Sequence, residues 1–306
     1  MATSSRAHAP VMLAESLHGW LSNADGVYVD ATFGRGGHAS AALAQLSSQA
    51  KLLVVDRDPQ AIAAAQELAA ADPRVQVLQS NYADLDEAQV RSGSVDGVLL
   101  DLGVSSPQLD QAERGFSFAK DGPLDMRMDP SSGISAAQWL ASHSEAEIAQ
   151  ALKLYGEEPQ ARAIARELFA ARGTLHTTKQ LADLVARVKG GGKPGRNPAT
   201  QVFQALRIAV NQELELLGKG LSAAVRMLKV GGRLAVLSFH SLEDRIVKQF
   251  LAEHAKPPAA SRRAFMLPDL FVASLALRGK QFPSEAECAS NPRARSAVLR
   301  LAEKLL

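Results

Sequence analysis

Four short apolar segments, separated by helical patterns, occupy the first third of this 306-residue chain and constrain its fold most strongly. The segments are residues 27–33, 52–56, 75–79 and 95–103, and helical patterns cover 39–46 and 59–71. The fourth segment is continuously apolar, as expected of a parallel strand that is buried on both faces. Strands that alternate with helices in this way predict a doubly wound parallel α/β sheet.

This alternation stops between residues 111 and 212, where no convincing strand occurs. Helical patterns appear there at 135–142, 144–154, 158–172 and 178–188, and another begins near Ala199. The α/β pattern then resumes with a helix at 213–228, a strand at 232–239, a helix at 242–254, an irregular stretch at 255–285 and a strand-like end at 296–303. We therefore predict an α/β domain, residues 1–110 and 213–306, interrupted by an all-helical insertion at 111–212.

The first strand leads into a glycine-rich turn, in the run VYVDATFGRGGH at residues 27–38. Asp30 is the acidic residue of this run, and Gly34, Gly36 and Gly37 follow it. Residues without Cβ allow backbone amides to approach a ligand closely, and a helix that begins behind them presents unpaired N–H groups. In an open α/β sheet this arrangement predicts a nucleotide-type cofactor site.

Two cofactors fit this turn. Its spacing, G-x-G-x-x-A, matches the dinucleotide fingerprint, and Asp56 at the end of the second strand suits the ribose of NAD or of S-adenosylmethionine. Asp30, placed ahead of the glycines, favours the cationic sulfonium cofactor, because a carboxylate there would repel a pyrophosphate. An NAD-dependent dehydrogenase and an RNA-binding module with a degenerate cofactor site are the alternatives to a methyltransferase.

The fourth strand brings Asp101 and the following LGVSSPQ to the sheet edge at which open α/β proteins bind ligands. Amino-methyltransferases carry an acidic or amide residue followed by proline at this point. Acceptors aimed at an exocyclic amine hold this poor nucleophile in line with the methyl–sulfur bond, and such orientation supplies roughly 7–11 kcal/mol in favourable cases. Asp101 is the candidate acceptor, although it could equally contact the cofactor or simply cap the strand end.

Charge is divided unevenly along the chain. Residues 1–150 hold 9 Lys/Arg and 19 Asp/Glu, whereas residues 151–306 hold 25 and 13. This basic half indicates a polyanionic partner, although basic side chains also commonly solvate helix surfaces. Its clusters contain Lys189, Lys193, Arg196, Arg207, Arg262, Arg263, Arg278, Lys280, Arg293 and Arg295.

Several classes of protein are disfavoured by composition. The single cysteine, Cys288, excludes an internal disulfide and a multi-cysteine metal site, and no apolar run is long enough to span a bilayer. The first ten residues also lack the apolar core of a signal peptide. We expect a cytoplasmic protein without a resident metal.

Motifs along nearly the whole chain resemble the RsmH/MraW family of S-adenosylmethionine-dependent 16S ribosomal RNA (cytosine-N(4))-methyltransferases. The most specific are the block ERGFSFAKDGPLDMRMD at 113–129 and SFHSLEDR at 238–245. The others include HAPVML, DATFGRGGH, VVDRDPQAI, LLDLGVSSPQLD, FQALRIAVNQELE and NPRARSAVLR.

The resemblance implies a class I, Rossmann-like methyltransferase domain with an inserted helical domain. It implies methyl transfer from S-adenosylmethionine to the N(4) amine of a 16S rRNA cytidine near the decoding centre, with the small ribosomal subunit as partner. The expected cofactor-binding residues are Gly34, Gly36, Gly37, His38, Asp56, Tyr82, Asp101 and Gln108, and Asp101 is also the expected catalytic residue.

The sequence is compatible with a monomer and with a homodimer. Trp139 could stack on a flipped cytosine, but a Trp on an amphipathic helix is more often part of the core. His240 and Ser241 follow the fifth strand and could shape the substrate pocket, although a lone His is more often simply hydrogen-bonded.

Overall fold

A computed structural model describes residues 10–85, 87–191, 197–256 and 271–306. The chain forms two compact units, one of Met1–Gly103 with Leu214–Leu306 and the other of Val104–Glu213. Four members of the basic clusters, Lys193, Arg196, Arg262 and Arg263, lie outside the described residues. Within the described ranges, no helix is long and apolar enough to cross a membrane.

The first unit is built on a seven-stranded sheet of order β3-β2-β1-β4-β5-β7-β6. Strands β1 to β5 are parallel, and β7 runs antiparallel between β5 and β6. The strands are β1 Val27–Asp30, β2 Lys51–Asp56, β3 Val75–Gln79, β4 Val95–Asp101, β5 Leu228–Ser238, β6 Leu275–Gln281 and β7 Val298–Lys304. This sheet confirms the predicted doubly wound α/β fold, and its antiparallel β7 departs from the 3-2-1-4-5-6 order of dinucleotide-binding domains.

Helices cover both faces of this sheet, as the apolar strands require. One face packs against α1 Leu13–Trp20, α2 Gly37–Leu43 and α3 Pro59–Ala71. The other packs against α10 Glu213–Met227 and α11 Ser241–Ala255. Neighbouring residues of β1 show the alternation, since Tyr28 belongs to the first core and Val29 to the second.

The prediction of an irregular stretch over 255–285 was wrong for its last part, where β6 lies. The pairing of β6 with β7 shifts between Leu277 and Gly279, so Arg278 is an extra residue that forms a β-bulge. Gly279 has a φ of 138°, which a side chain would strain. The bulge breaks the period-two alternation by which strands are recognised in sequence.

The second unit is helical, and its only β contact among the described residues is an isolated bridge between Pro123 and Thr177. Its helices are α4 Ser106–Asp110, α5 Ala136–Ser142, α6 Glu145–Gly156, α7 Ala161–Ala171, α8 Thr178–Lys189 and α9 Thr200–Asn211. Ser135, Ser144 and Thr177 begin α5, α6 and α8 with capping boxes, which the S/T-x-x-E/Q pattern explains.

Asn211 ties the end of α9 to the long loop that precedes α5. Its Oδ1 accepts the N–H of Met128 at 2.8 Å, and its Nδ2 donates to the carbonyl of Met126 at 2.7 Å. Met126 is fully buried and has a φ of 64°, so this side chain satisfies the backbone of a turn that an ordinary residue adopts only at some cost.

Two cations of the predicted phosphate-binding cluster are used inside this unit instead. The ammonium of Lys189 lies 2.7 Å from Oε2 of Glu158, whose side chain is buried. The guanidinium of Arg207 forms a two-pronged ion pair with Glu213, with both distances 2.8 Å. These two cations neutralise buried carboxylates, so removing either cation would leave an uncompensated buried charge.

Replacing Asn211 tests its structural role. We expect Asn211→Ala to lower the free energy of unfolding by about 3 kcal/mol, because two buried backbone groups lose their partners. Denaturant titration of the full chain measures this change. Gln201→Ala on the same helix removes one exposed bond to the carbonyl of Glu157 and should cost under about 1 kcal/mol. Equal losses for the two variants would contradict the role assigned to Asn211.

Candidate functional site

Three neighbouring parallel strands of the sheet each end in an aspartate. Asp30 ends β1, Asp56 ends β2 and Asp101 ends β4. Because the strand order is β2-β1-β4, the three carboxyl groups lie along one edge of the sheet. This is the edge at which open α/β sheets bind ligands, and its acidity favours a cationic ligand over a pyrophosphate.

The glycine turn after β1 depends on its missing side chains at two positions. Gly36 has a φ of 74°, and a Cβ there would lie 2.6 Å from the ring of Phe33. A Cβ on Gly37 would overlap Pro10. Gly34, with a φ of 57°, donates its N–H to Oδ2 of Asp56 at 2.8 Å. The turn is therefore packed tightly against its own surroundings and bonded to the neighbouring strand.

Asp56 organises this turn in the structure. Its Oδ1 accepts the N–H of Asp58 at 2.9 Å while its Oδ2 holds Gly34. Burial raises the pKa of this carboxyl, and the two backbone bonds oppose the rise. A carboxylate offers about four acceptor positions, so these bonds leave room for hydroxyl groups. Contact between Asp56 and a ribose stays a prediction.

His38 and Asp101 form a pair at the centre of the edge. Nδ1 of His38 lies 3.4 Å from Oδ2 of Asp101, and its Nε2 lies 3.2 Å from the carbonyl of Val11. Burial lowers the pKa of His38, but the bond and charge of Asp101 outweigh burial, so the pKa is raised. With an acceptor beside each ring nitrogen, this imidazole is suited to carry a proton.

One carboxylate oxygen of Asp101 has a partner, and the other has none within the described part of the chain. Its N–H donates to Oγ1 of Thr32 at 2.6 Å, and its Oδ2 faces His38. Its Oδ1 is buried and has no hydrogen-bond partner among the described residues. A buried oxygen in this state indicates a missing donor. The predicted S-adenosylmethionine site passes this test, because a cationic cofactor or an amine substrate would supply that donor.

Asp30 is the most deeply buried of the three, with 1% of its surface exposed. Its Oδ1 accepts the N–H of Thr32 at 3.2 Å. Burial raises its pKa from 3.8 to about 7, although the charge of His38 and the bond from Thr32 act in the opposite direction. Asp30 is therefore close to half-ionised at neutral pH and able to respond to a charge placed near it.

Sequence reasoning missed Glu287 as part of this assembly. Its Oε1 accepts the N–H of Met12 at 2.7 Å, across 275 residues of chain. Met12 is fully buried in the left-handed region, with a φ of 49°. Pro10 packs against Gly37 and the carbonyl of Val11 holds His38, so this bond anchors the segment that closes over the glycine turn. Glu287 lies on α12 Glu285–Ser290, and no local pattern in the sequence signals its distant partner.

Tyr82 and Gln108 occupy different units. Tyr82 begins a short 3₁₀ turn, Tyr82–Asp84, and its ring lies against the backbone of α10 where Gly220 leaves space. Gln108 is buried in the helical unit, where its Oε1 accepts the N–H of Ser105 and caps α4. Cofactor contacts by these two residues stay predictions.

The remaining candidates have local structural roles. Trp139 is 9% exposed, belongs to the core of the helical unit and stacks on His143 with ring centroids 4.0 Å apart. The position favours the core interpretation over base stacking. His240 caps α11, since its Nδ1 accepts the N–H of Glu243 and its Nε2 lies 3.1 Å from Oε1 of that residue. Ser241 is the first residue of the same helix.

The burial of Asp30 predicts a pH-dependent stability. Below about pH 4 the group is neutral whether the chain is folded or not, and between that pH and about 7 only the unfolded chain ionises it, so stability falls as pH rises. A pKa of about 7 in place of 3.8 corresponds to about 4 kcal/mol. In denaturant titrations, the free energy of unfolding of Asp30→Asn should therefore equal that of the parent at about pH 4 and be higher than that of the parent at about pH 8. The exposed Asp25→Asn is the control, and a constant difference at both pH values would contradict this burial cost.

The anchor at Glu287 predicts a local change in dynamics. Glu287→Ala removes the acceptor of the Met12 N–H, so exchange of that amide should quicken about tenfold, as expected for the loss of a charged hydrogen bond. Glu287→Gln keeps an acceptor oxygen and should show a smaller change, and Glu285→Ala, on an exposed position of the same helix, should show none. Hydrogen-exchange mass spectrometry of the N-terminal peptide measures the exchange rate of this amide. Unchanged exchange in Glu287→Ala would contradict the anchor.

Comparison with known proteins identifies the family to which this chain is similar. The sequence model of the MraW methylase family matches residues 5–305. A ribosomal RNA small subunit methyltransferase H from Xanthomonas axonopodis pv. citri is 55% identical over 310 residues, which cover 100% of this chain and 90% of that protein. The protein of the same name from Stenotrophomonas maltophilia is 54% identical over 302 residues, which cover 97% of this chain and 93% of that protein.

The crystal structure of an rRNA methylase from Streptococcus thermophilus aligns over 96% of this chain and 94% of its own. The sequence identity is 12% and the TM-score is 0.42, so this structure adds nothing to the family assignment.

Proposed function

This chain belongs to the MraW methylase family, and from that premise we propose that it methylates the N(4) amine of a cytidine in 16S ribosomal RNA near the decoding centre. S-adenosylmethionine is the methyl donor. Relatives named ribosomal RNA small subunit methyltransferase H match it over essentially the whole chain, which supports small-subunit rRNA as its substrate. We place the reaction in the cytoplasm, with the small ribosomal subunit as partner.

The observation that carries this proposal is the buried, unpaired Oδ1 of Asp101. The exocyclic amine of cytosine is a poor nucleophile, because its lone pair is conjugated with the ring. An acceptor for its N–H bond fixes the direction of that lone pair and disperses the positive charge that develops on nitrogen. Oδ1 of Asp101 is available for this bond, while Thr32 and His38 hold the rest of the residue in place.

The cofactor, when bound, supplies an electrophilic methyl group on a sulfonium. We assign its binding to the glycine turn, residues 34–38, and to Asp56. The buried carboxyl of Asp30 stabilises a cation at this edge once it is ionised, which its pKa of about 7 permits under neutral conditions. Nδ1 of His38 faces Oδ2 of Asp101, so that this carboxylate keeps its orientation when substrate is absent.

The helical unit, Val104–Glu213, is assigned to substrate recognition. This role follows from the family and from its position as an insertion, since inserted units commonly carry the specificity of a shared catalytic fold. Lys189 and Arg207 are excluded from phosphate binding because they neutralise Glu158 and Glu213. An NAD-dependent dehydrogenase, the alternative enzyme, has no support from the family.

Complementation of a strain that lacks the protein tests the reaction and the residue together. Mass-spectrometric mapping of small-subunit RNA should show N(4)-methylcytidine disappearing in the deletion strain and returning with the parent protein. Asp101→Ala should methylate small-subunit RNA at less than about 1% of the parent rate, because about 3 kcal/mol of transition-state stabilisation is lost. Persistence of N(4)-methylcytidine in the deletion strain would overturn the proposed substrate.

The same variant distinguishes the two roles that Asp101 can have. Calorimetric titration with S-adenosylmethionine should give Asp101→Ala nearly the parent affinity if the residue aligns the amine. A large loss of cofactor affinity, with the rate restored at saturating cofactor, would instead assign Asp101 to cofactor binding. Asp183→Asn, an exposed carboxylate in the helical unit, is the control and should leave both quantities unchanged.

A further inference from the structure

An exposed aromatic ring stands directly after β6, at a sheet position that the reaction does not use. Phe282 is 61% exposed and is the only aromatic side chain among the exposed large hydrophobic residues of the described ranges. The ammonium of Lys280 lies 4.3 Å from the centre of its ring. The two side chains form one unit, the Phe282–Lys280 platform, in which an exposed aromatic ring lies next to a positive charge.

Lys280 is placed at an electrostatic cost. It pairs directly across the strands with Arg300, and like charges in this position destabilise a sheet. Arg300 is neutralised by Asp244, with distances of 2.7 and 3.0 Å, whereas Lys280 forms no ion pair with a carboxylate among the described residues. Of this pair, Lys280 is therefore the cation whose charge is available to a polyanion.

The β-bulge directs this platform to its present face. If Arg278 were instead paired with Leu301 in a regular ladder, Lys280 would lie opposite Leu299, which is fully buried in the core beneath α1, α2 and α3. With the bulge, Lys280 lies opposite Arg300 on the side of α11, and Phe282, two residues on, shares that side. The bulge in β6 thus places the side chains of Lys280 and Phe282 together in solvent.

The platform lies at the same sheet edge as Asp101. Ser238, at the carboxyl end of β5, pairs with Val298, and Gln281 at the end of β6 pairs with Leu299. Three strand spacings separate β4 from β6, which is about 14 Å. Arg295, exposed and without an ion pair among the described residues, belongs to the turn Pro292–Ser296 that enters β7 at this edge. The acidic Glu285 is also exposed here, so the local charge is mixed but positive at the ring itself.

We propose that Phe282 and Lys280 form a docking site for an unpaired nucleotide of the substrate RNA, with the base stacked on the ring and the phosphate at the ammonium. Unpaired bases are recognised by stacking on aromatic side chains, and cations beside the ring bind the backbone. A short run of nucleotides spans the distance to Asp101, so the platform holds a neighbour of the target cytidine. This inference rests on the proposed function only in taking RNA as the substrate.

Conservative variants of Phe282 test the stacking. Phe282→Leu keeps an apolar side chain but removes the π-face, and we expect it to weaken binding of an unstructured oligocytidine about tenfold and to raise the KM for small-subunit RNA equally. The kcat and the affinity for S-adenosylmethionine should stay unchanged. Phe282→Trp should retain parent binding. Val230→Ala, another exposed apolar residue of the sheet (71% exposed), is the matched control and should have no effect.

The charge is tested by salt dependence. Lys280→Gln should reduce the slope of log affinity against log salt by about 0.7, the value for one phosphate contact on a single strand. Parent-like RNA affinity and KM in Phe282→Leu would overturn the platform, and a change only in oligomeric state, measured by light scattering, would assign the ring to a protein contact instead. Failure of the parent protein to methylate cytidine would overturn the proposed function alone. The platform would still be tested, because oligocytidine binding is measured independently of methyl transfer.

Discussion

The crowding of three carboxyl groups at one sheet edge is the constraint around which the first unit is arranged. Parallel strands carry their carboxyl ends to the same side, so Asp30, Asp56 and Asp101 are neighbours as soon as the strand order is fixed. Carboxylates that are buried without compensation are expensive. Each carboxyl group has a local partner: the amide of Thr32 for Asp30, the amide of Gly34 for Asp56 and the ring of His38 for Asp101. These contacts, as well as the glycines, determine the conformation of the turn and of the start of α2.

Oδ1 of Asp101 is a buried oxygen without a hydrogen-bond partner among the described residues, and this distinguishes Asp101 from the other two aspartates. Every other carboxylate bond described at this edge is made to the protein itself, whereas Oδ1 of Asp101 faces no donor among the described residues. A site built this way is organised before its ligand arrives, which reduces the ordering cost at the moment of reaction. His38 has a supporting role here, since it holds Oδ2 and is held in turn by the carbonyl of Val11.

Sequence patterns predicted most of this fold because the signals were local. The apolar run of β4, the strand VQVLQ at 75–79 and the helix at 59–71 were recognised with their correct or nearly correct bounds. The strand β6 was missed because a bulge removes its alternation. The residues of the glycine turn were recognised from spacing, but the bond from Glu287 to Met12 was not, since it joins positions that only the folded chain brings together. Likewise, sequence could not tell that Lys189 and Arg207 have buried acidic partners.

The bond between Met12 and Glu287 also bears on how the chain is made. An N-terminal segment emerges first from the ribosome, yet its acceptor is translated 275 residues later. Contacts of such long sequence separation form late, because the closure entropy of the intervening chain must be overcome first. The segment over the glycine turn therefore reaches its final conformation only after α12 has been made. A truncated chain that stops before α12 would lack both Glu287 and β7, so the segment over the glycine turn would be unanchored and the sheet would lose the strand between β5 and β6.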